Sequence, residues 1–208
     1  MIITALQQKG NNVLVCFDDG EFITIDYRTV TDNTLRKNDV IDEKKIEFLI
    51  SASEYQKAKD SAFRFLGMRH HSTSELRTKL IKKKYSKEII EKILTNLTDK
   101  KLLDDEQFAE AFLEERSIKK KVGINKLKAE LIKKGINKNI IEKTLLSVDH
   151  ELSYEQALEL AKHKIDSIKR KETDKRKIKA KLYSSLSSRG FESDVIIRVL
   201  NEVVEDDE

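Results

Sequence analysis

The sequence predicts a mainly α-helical protein: a tandem array of three three-helix repeats, elongated and curved, preceded by a small N-terminal β-hairpin extended to three strands. Three observations carry this. The 208 residues contain no proline and only 6 glycines, so very little interrupts helices. Apolar positions recur with a long period: Leu76, Leu80, Tyr85, Ile89, Ile90, Leu94 and Leu97, shifted by 51 residues, become Leu127, Leu131, Ile136, Ile140, Ile141, Leu145 and Val148. A further shift of 55 gives Leu182, Leu186, Phe191, Val195, Ile196, Leu200 and Val203. Self-similarity at such a period is the mark of a helical repeat, whose units bury their stripes partly against their neighbours. Finally, β-branched and aromatic runs near the start of the chain are separated by turn residues.

Four segments follow: residues 1–52, the strand-rich extension with a linker helix; 53–103, the first repeat; 104–149, the second; and 150–208, the third with an acidic tail. In the first segment Val13–Phe17 and Phe22–Ile25 flank Asp18-Asp19-Gly20-Glu21, a hairpin signal. Ile2–Leu6 adds a third strand through Lys9-Gly10-Asn11-Asn12, and a helix from Asp42 to Ser51 leads on. The segment reads as a docking module or as a structural lid.

Each repeat begins with a shorter helix carrying the same spacing: Ala62, Phe65, Leu66, Arg69; Ala109, Phe112, Leu113, Arg116; Ala157, Leu160, Ala161, Lys164. Gly135 and Gly190 stand where a second helix must end in a left-handed residue, with Lys84 in their place in the first repeat. Tyr85/Ser86/Ile90 and Ile136/Asn137/Ile141 fit a hydrophobic staple around an N-cap, and Phe191/Ile196 repeats it with Glu192 or Ser193 as the cap. Ser72 with Glu75, and Asp104 with Gln107, read as capping boxes. The third repeat has a longer, highly charged connection between its first two helices, from Lys169 to Lys181.

Composition excludes several classes. Cys16 is the only cysteine, so no internal disulfide forms, and the four histidines lack partners at zinc-ligand spacing. No window approaches ~18 uninterrupted apolar residues, and the start lacks a basic then apolar leader. A soluble, cytoplasmic protein is expected. The Asp104-Asp105-Glu106 cluster is explained by helix capping. His70-His71 beside Ser72 cannot act as base and nucleophile, because adjacent helical side chains do not face one another. No phosphate-cradling glycine loop is present. The expectation is therefore a protein without catalytic residues, metal or cofactor, and not an enzyme.

Charge points to a binding function. The net charge of +4 conceals three basic blocks: 7 basic against 1 acidic residue over 69–87, 8 against 1 over 116–134, and 10 against 3 over 162–181. One lysine-rich stretch is ordinarily a solvated helix face, but recurrence in three places points to a polyanion or to a partner that carries one. Lys83, Lys134 and Arg189 occupy one equivalent position in all three repeats, and Lys82 and Lys133 share another that faces away from the core. Lys126 and Lys181 share a third, and Arg69, Arg116 and Lys164 end the first helices. With Arg77, Lys120 and Lys121 these are the candidate contacts, the arginines being best suited to bidentate pairing. Lys119 and Lys164 are lesser candidates.

Several motifs bear a family likeness. Arg69-x-x-Ser72-x-x-Glu75-Leu76, Asp105-x-x-Phe108-Ala109-x-x-Phe112 with Arg116, Lys121-x-Gly123-x-x-x-Leu127-x-x-Glu130-Leu131-x-x-Lys134-Gly135-Ile136, and Leu186-x-x-Arg189-Gly190-Phe191 resemble the motifs of the RecX regulatory proteins. The resemblance covers about residues 53–205 and is tightest in the first two repeats. It implies a bacterial protein, monomeric, that binds the RecA filament and restrains its assembly, ATP hydrolysis, strand exchange and support of repressor self-cleavage. DNA contact would be weak and salt-sensitive. Two other readings remain open from the residues alone: a general DNA- or RNA-binding repeat protein, and an adaptor for an unrelated acidic protein. Few aromatics interleave with the lysines, so nucleic-acid binding would be phosphate-driven. The acidic tail from Glu202 to Glu208 either masks a basic face or aids solubility.

Overall fold

The alternation of buried Val13, Val15 and Phe17 with half-buried Leu14 and Cys16 is what a strand with one covered face requires, and it sets the register of the N-terminal sheet. The structure, a computed structural model, describes residues 1–205, the side chains of Ile118 and Glu205 excepted. Strands β1 (Ile3–Lys9), β2 (Asn12–Phe17) and β3 (Phe22–Asp26) form an antiparallel sheet in sequential order, with a register shift between Ile3 and Ala5. A short helix not anticipated from the sequence, α1 (Tyr27–Asp32), follows directly. Its cap, Asp26, accepts from the Arg28 amide at 2.9 Å, and its own amide donates to Ser53 Oγ at 2.8 Å. Arg28 then bridges Asp26 and Asp60, tying the end of the sheet to the long helix beneath it. The guanidinium's hydrogen bonds hold the Asp26 carboxyl below its usual range.

That long helix is α2 (Glu43–Met68), capped by Asp42, whose side chain accepts from the Lys45 amide at 2.8 Å. The expected linker helix is thus the first half of a single 26-residue helix. Leu49 and Ile46 on its first half pack beneath the sheet with Ile3, Val15, Phe17 and Ile25, while Ala58 and Ala62 on its second half enter the next core. With α3 (Thr73–Lys82) and α4 (Lys87–Asp99) it builds the first repeat around Leu76, Leu80, Ile90, Ile93 and Leu97. Ser72 Oγ accepts from the Glu75 amide at 3.1 Å, as the capping box requires.

The chain divides into two units, Met1–Leu103 and a second from Asp104 onward. The second unit opens with α5 (Asp105–Leu113), whose cap Asp104 accepts from the amides of Glu106 and Gln107 at 2.9 and 3.1 Å. A π-helical turn, Glu114–Lys119, extends it. Arg116 therefore lies inside this wider turn and does not end a helix. Then come α6 (Ile124–Lys133) and α7 (Lys138–Leu145), closing a core of Phe108, Ala109, Leu131, Ile136 and Ile141. The third repeat comprises α8 (His150–Lys169), α9 (Lys175–Ser188) and α10 (Ser193–Glu205) around Ala157, Ala161, Leu182, Leu186, Ile196 and Val199.

Two expectations are corrected here. The long charged connection in the third repeat shrinks to 170–174, because Asp174 caps α9 by accepting from the Arg176 amide at 2.8 Å and Ile178 begins its buried stripe. Lys164 lies within α8, which runs on to Lys169.

The three repeats share one turn between their second and third helices. Lys84, Gly135 and Gly190 have φ of 64°, 73° and 89°, and their amides donate to the carbonyls of Ile81, Ile132 and Ser187 at 2.8, 2.9 and 2.8 Å. These left-handed residues satisfy carbonyls that the ending helix would leave open.

Candidate functional site

The position that is basic in every repeat turns out to be a helix end. Lys83, Lys134 and Arg189 are the C-cap residues of α3, α6 and α9. A cation there faces the negative end of the helix dipole, so each contributes to its helix whatever else it binds. Lys82 and Lys133 are the last residues of α3 and α6, and both are exposed.

The twelve candidates sort by what their charges already touch. Six are engaged by carboxylates. Arg69 caps α2 and grips Glu75 through Nη1 and Nη2 at 2.8 and 3.2 Å, while Nη1 also donates to the His70 carbonyl at 2.6 Å. Its protonated form is favoured by the Glu75 hydrogen bonds. Arg77 makes a fork to Glu91 on α4 at 2.8 and 2.9 Å, which holds that carboxyl below its usual range. Arg116 lies over the Phe112 ring, with its centre 5.3 Å from the centroid, and is 3.4 Å from Glu130. At that distance, with neither atom in a hydrogen bond, the contact is a charge pair only. Lys120 pairs with Glu115 at 2.7 Å, Lys181 with Glu172 at 3.1 Å, and Lys121 with Glu159 of α8.

Lys82, Lys83, Lys126, Lys133 and Arg189 have no side-chain partner among the described residues, and all five are exposed. They are the charges most available to a polyanion. Lys134 is half-buried and engaged within its surroundings. Lys119, the lesser candidate, ends the π-helical turn.

Within the second unit the structure brings three candidates together. The amides of Gly123 and Asn125, at the start of α6, donate to the carbonyls of Arg189 and Gly190 at 3.0 and 2.9 Å. The two backbones touch. A Cβ on Gly123 would lie 2.3 Å from Phe191 N, and one on Gly190 would lie 2.3 Å from Lys126 Cβ. Glycine at both positions is therefore demanded by space, and at Gly190 also by its positive φ. The contact sets Lys126 beside the Arg189–Phe191 turn, and the Lys121–Glu159 pair bridges the same two repeats.

Beside this junction, Leu160, His163, Lys164 and Ser167 of α8, Ser185 and Leu186 of α9 and its C-cap Arg189 line an open cleft. Its rim carries an ammonium, a guanidinium, an imidazole and two hydroxyls; Ser167 Oγ already donates to the Lys164 carbonyl at 2.8 Å, Glu159 lies 3.8 Å from the His163 ring, and among the described residues no carboxylate lines the cleft itself. Such a donor set suits a phosphate oxygen. His163, Ser167 and Ser185 were not singled out from the sequence. The available signal was the i, i+4 spacing of His163 and Ser167 beside Lys164, which places three polar groups on adjoining faces of α8.

Among the described residues no group of three or more His, Cys, Asp or Glu side chains gathers as for a metal ion, and no helix is long and apolar enough to cross a membrane. Fold and surface together define a modular three-helix-repeat protein with unpaired cations on its helix ends. Family models for the first, second and third three-helix domains of RecX match residues 58–97, 104–145 and 151–200. The chain belongs to the RecX family of regulatory proteins. It is 32% identical to the regulatory protein RecX of Clostridioides difficile (strain 630), over 100% of this chain and 98% of that one. It is 34% identical to the regulatory protein RecX of Clostridium acetobutylicum, over 97% and 94%. A crystal structure of RecX from Lactobacillus salivarius superposes with a TM-score of 0.67 at 26% identity, covering 73% of this chain and 97% of that one. A further crystal structure of a regulatory protein RecX shares the fold across 99% of both chains, with a TM-score of 0.75 at 22% identity.

Proposed function

We propose that this protein binds the RecA nucleoprotein filament in the cytoplasm, as a monomer, and inhibits the recombinase, its ATPase and its support of repressor self-cleavage. In this way it regulates recombination and DNA repair. The observation that carries the reading is membership of the RecX family through all three repeats. The five unpaired cations support it, since a filament of protein wound on DNA presents both carboxylates and phosphates. The mechanism is occupancy, with no bond made or broken. Lys82, Lys83, Lys126, Lys133 and Arg189 supply charge to the partner, and the six carboxylate-bound cations hold helices in place.

A second reading, direct binding to DNA or RNA without RecA, is favoured by the cleft between α8 and α9 and its donor-rich lining. One experiment separates the two. RecA's single-stranded-DNA-dependent ATPase is titrated with this protein below RecA stoichiometry, beside a salt series of binding to bare DNA. Inhibition well below one copy per RecA, at salt where bare-DNA binding is lost, is the expected result. Inhibition only where bare DNA is coated would replace the filament reading with the second one.

A further inference from the structure

Ile81 and Ile132 are out of place for stability alone. Each follows a fully buried leucine, Leu80 or Leu131, on the middle helix of its repeat, yet they are 57% and 59% exposed. An isolated exposed apolar side chain needs no explanation. Recurrence does, and among the large apolar side chains that the described residues of the repeats expose, these two are the one pair at equivalent positions.

Their surroundings recur as well. One turn earlier on the same face stand Arg77 and Lys128, and the next residue is Lys82 or Lys133. Arg77 is held by its fork to Glu91, whereas Lys82, Lys128 and Lys133 have no side-chain partner among the described residues. Three residues before each isoleucine is a small side chain, Thr78 or Ala129. The third repeat lacks the motif: Ser187-Ser188-Arg189 keeps the terminal cation and drops the apolar group.

A phosphodiester backbone gains nothing from an exposed isoleucine, because that binding is carried by charge. A protein partner does gain. An apolar anchor set within a rim of charge is how a small docking point combines affinity with orientation. The rim here is cationic, so the complementary surface is an apolar depression edged by carboxylates. Two copies of the motif, at one position in successive repeats, fit a partner that presents its surface repeatedly.

We propose that Ile81 and Ile132 are the apolar anchors of two equivalent docking points for an acidic protein surface that recurs along a polymer of identical subunits. This deepens the filament reading above and rests on it: these two points grip protein, and the carboxylate-free cleft of the third repeat lies outside them.

The test uses the full chain with Ile81→Ser, Ile132→Ser, the double variant, and a double leucine variant at the same positions. Serine is what the third repeat carries there, and exposed sites tolerate it, so thermal melts monitored by circular dichroism should match the parent. Each serine variant should raise the concentration that half-inhibits RecA's ATPase about tenfold, with the double leucine variant close to the parent. Affinity for bare single-stranded DNA, read by fluorescence anisotropy, should stay unchanged in all of them. A double serine variant that inhibits as well as the parent overturns the anchors and leaves the filament reading standing. So does a parallel loss of bare-DNA affinity, which would assign the isoleucines to a nucleic-acid surface. If the parent itself neither inhibits nor binds the filament, the filament reading falls and this proposal falls with it.

Discussion

His71 shows how one buried side chain makes a repeat sensitive to pH. Its ring is 2% exposed at the turn between α2 and α3, with Nδ1 2.8 Å from the Arg69 carbonyl. A carbonyl only accepts, so Nδ1 carries the proton and Nε2 is left bare, buried and without a hydrogen-bond partner. Burial pushes the imidazole's pKa down, Arg69 and Lys79 add to that, and the Arg69 carbonyl and Glu75 oppose it. The native ring thus takes up its proton only at a lower pH than the unfolded chain, which does so as the pH falls through about 6.5. The contribution of His71 is complete above that pH and declines below it, by at most about 1.4 kcal/mol per pH unit. Thermal melts of the first unit from pH 8 to pH 5 should show this decline, and His71→Asn, which keeps a donor for the Arg69 carbonyl but does not titrate, should flatten it. None of this is legible in His70-His71-Ser72 as a sequence. The expectation that rules out a base–nucleophile pair assumes helical geometry, whereas His70, His71 and Ser72 lie in the turn between α2 and α3, and only the packed turn reveals which ring is buried.

At the scale of elements, the junction between α6 and the end of α9 rests on glycine. Gly190→Ala adds a Cβ that would meet the backbone of Lys126 at 2.4 Å, at a φ of 89° that disfavours any side chain. The cost should be about 2–4 kcal/mol, spent within the second unit. Hydrogen exchange reads it directly: the Gly123 and Asn125 amides should lose protection, and the Leu76 amide of the first unit should keep its own. The need for a left-handed residue at Gly190 was visible from its place after an apolar helix and before an apolar staple. The close approach to Lys126 was not, because nothing in the spacing of Gly123 states which turn it will touch. Other elements follow the same division. The stripe of α9 was plain from Leu182 onward, yet its first turn, Lys175-Arg176-Lys177, carries no apolar residue and read as connection until Asp174 was seen to cap it. The π-helical turn at Glu114–Lys119 leaves no compositional trace, since one extra residue in a turn changes geometry and not pattern. The halves of α2 read as separate because they serve separate cores; no helix stop lies between them.

For the molecule as a whole, the pairing of charges matters more than their number. The chain carries 41 basic residues and 37 acidic ones, and much of the basic excess that stands out in sequence windows is answered within the fold. Glu75, Glu91, Glu115, Glu130, Glu159 and Glu172 each meet a candidate cation, several from a different helix. Linear windows cannot register those partners, and so the sequence puts the arginines first, although Arg69, Arg77 and Arg116 are already held by carboxylates and pairing within the fold ranks the five unpartnered cations first. Glu202, at the start of the acidic tail, engages Tyr154 and Lys162, while Asp206, Asp207 and Glu208 lie outside the described residues. The ranking has a thermodynamic signature. A cation already held by a carboxylate displaces little when a phosphate arrives, because its charge is largely compensated, whereas each free one releases about 0.7 of a counterion from single-stranded DNA. Changing Lys82, Lys83, Lys126, Lys133 and Arg189 to glutamine should therefore reduce the slope of log affinity against log salt by up to about 3.5. Changing Arg77, Lys120, Lys121 and Lys181 in the same way should leave that slope nearly as it was while lowering the melting temperature. Equal slopes for the two variants would mean that the internal carboxylates let go on binding, and Arg77, Lys120, Lys121 and Lys181 would then count as contacts beside the other five.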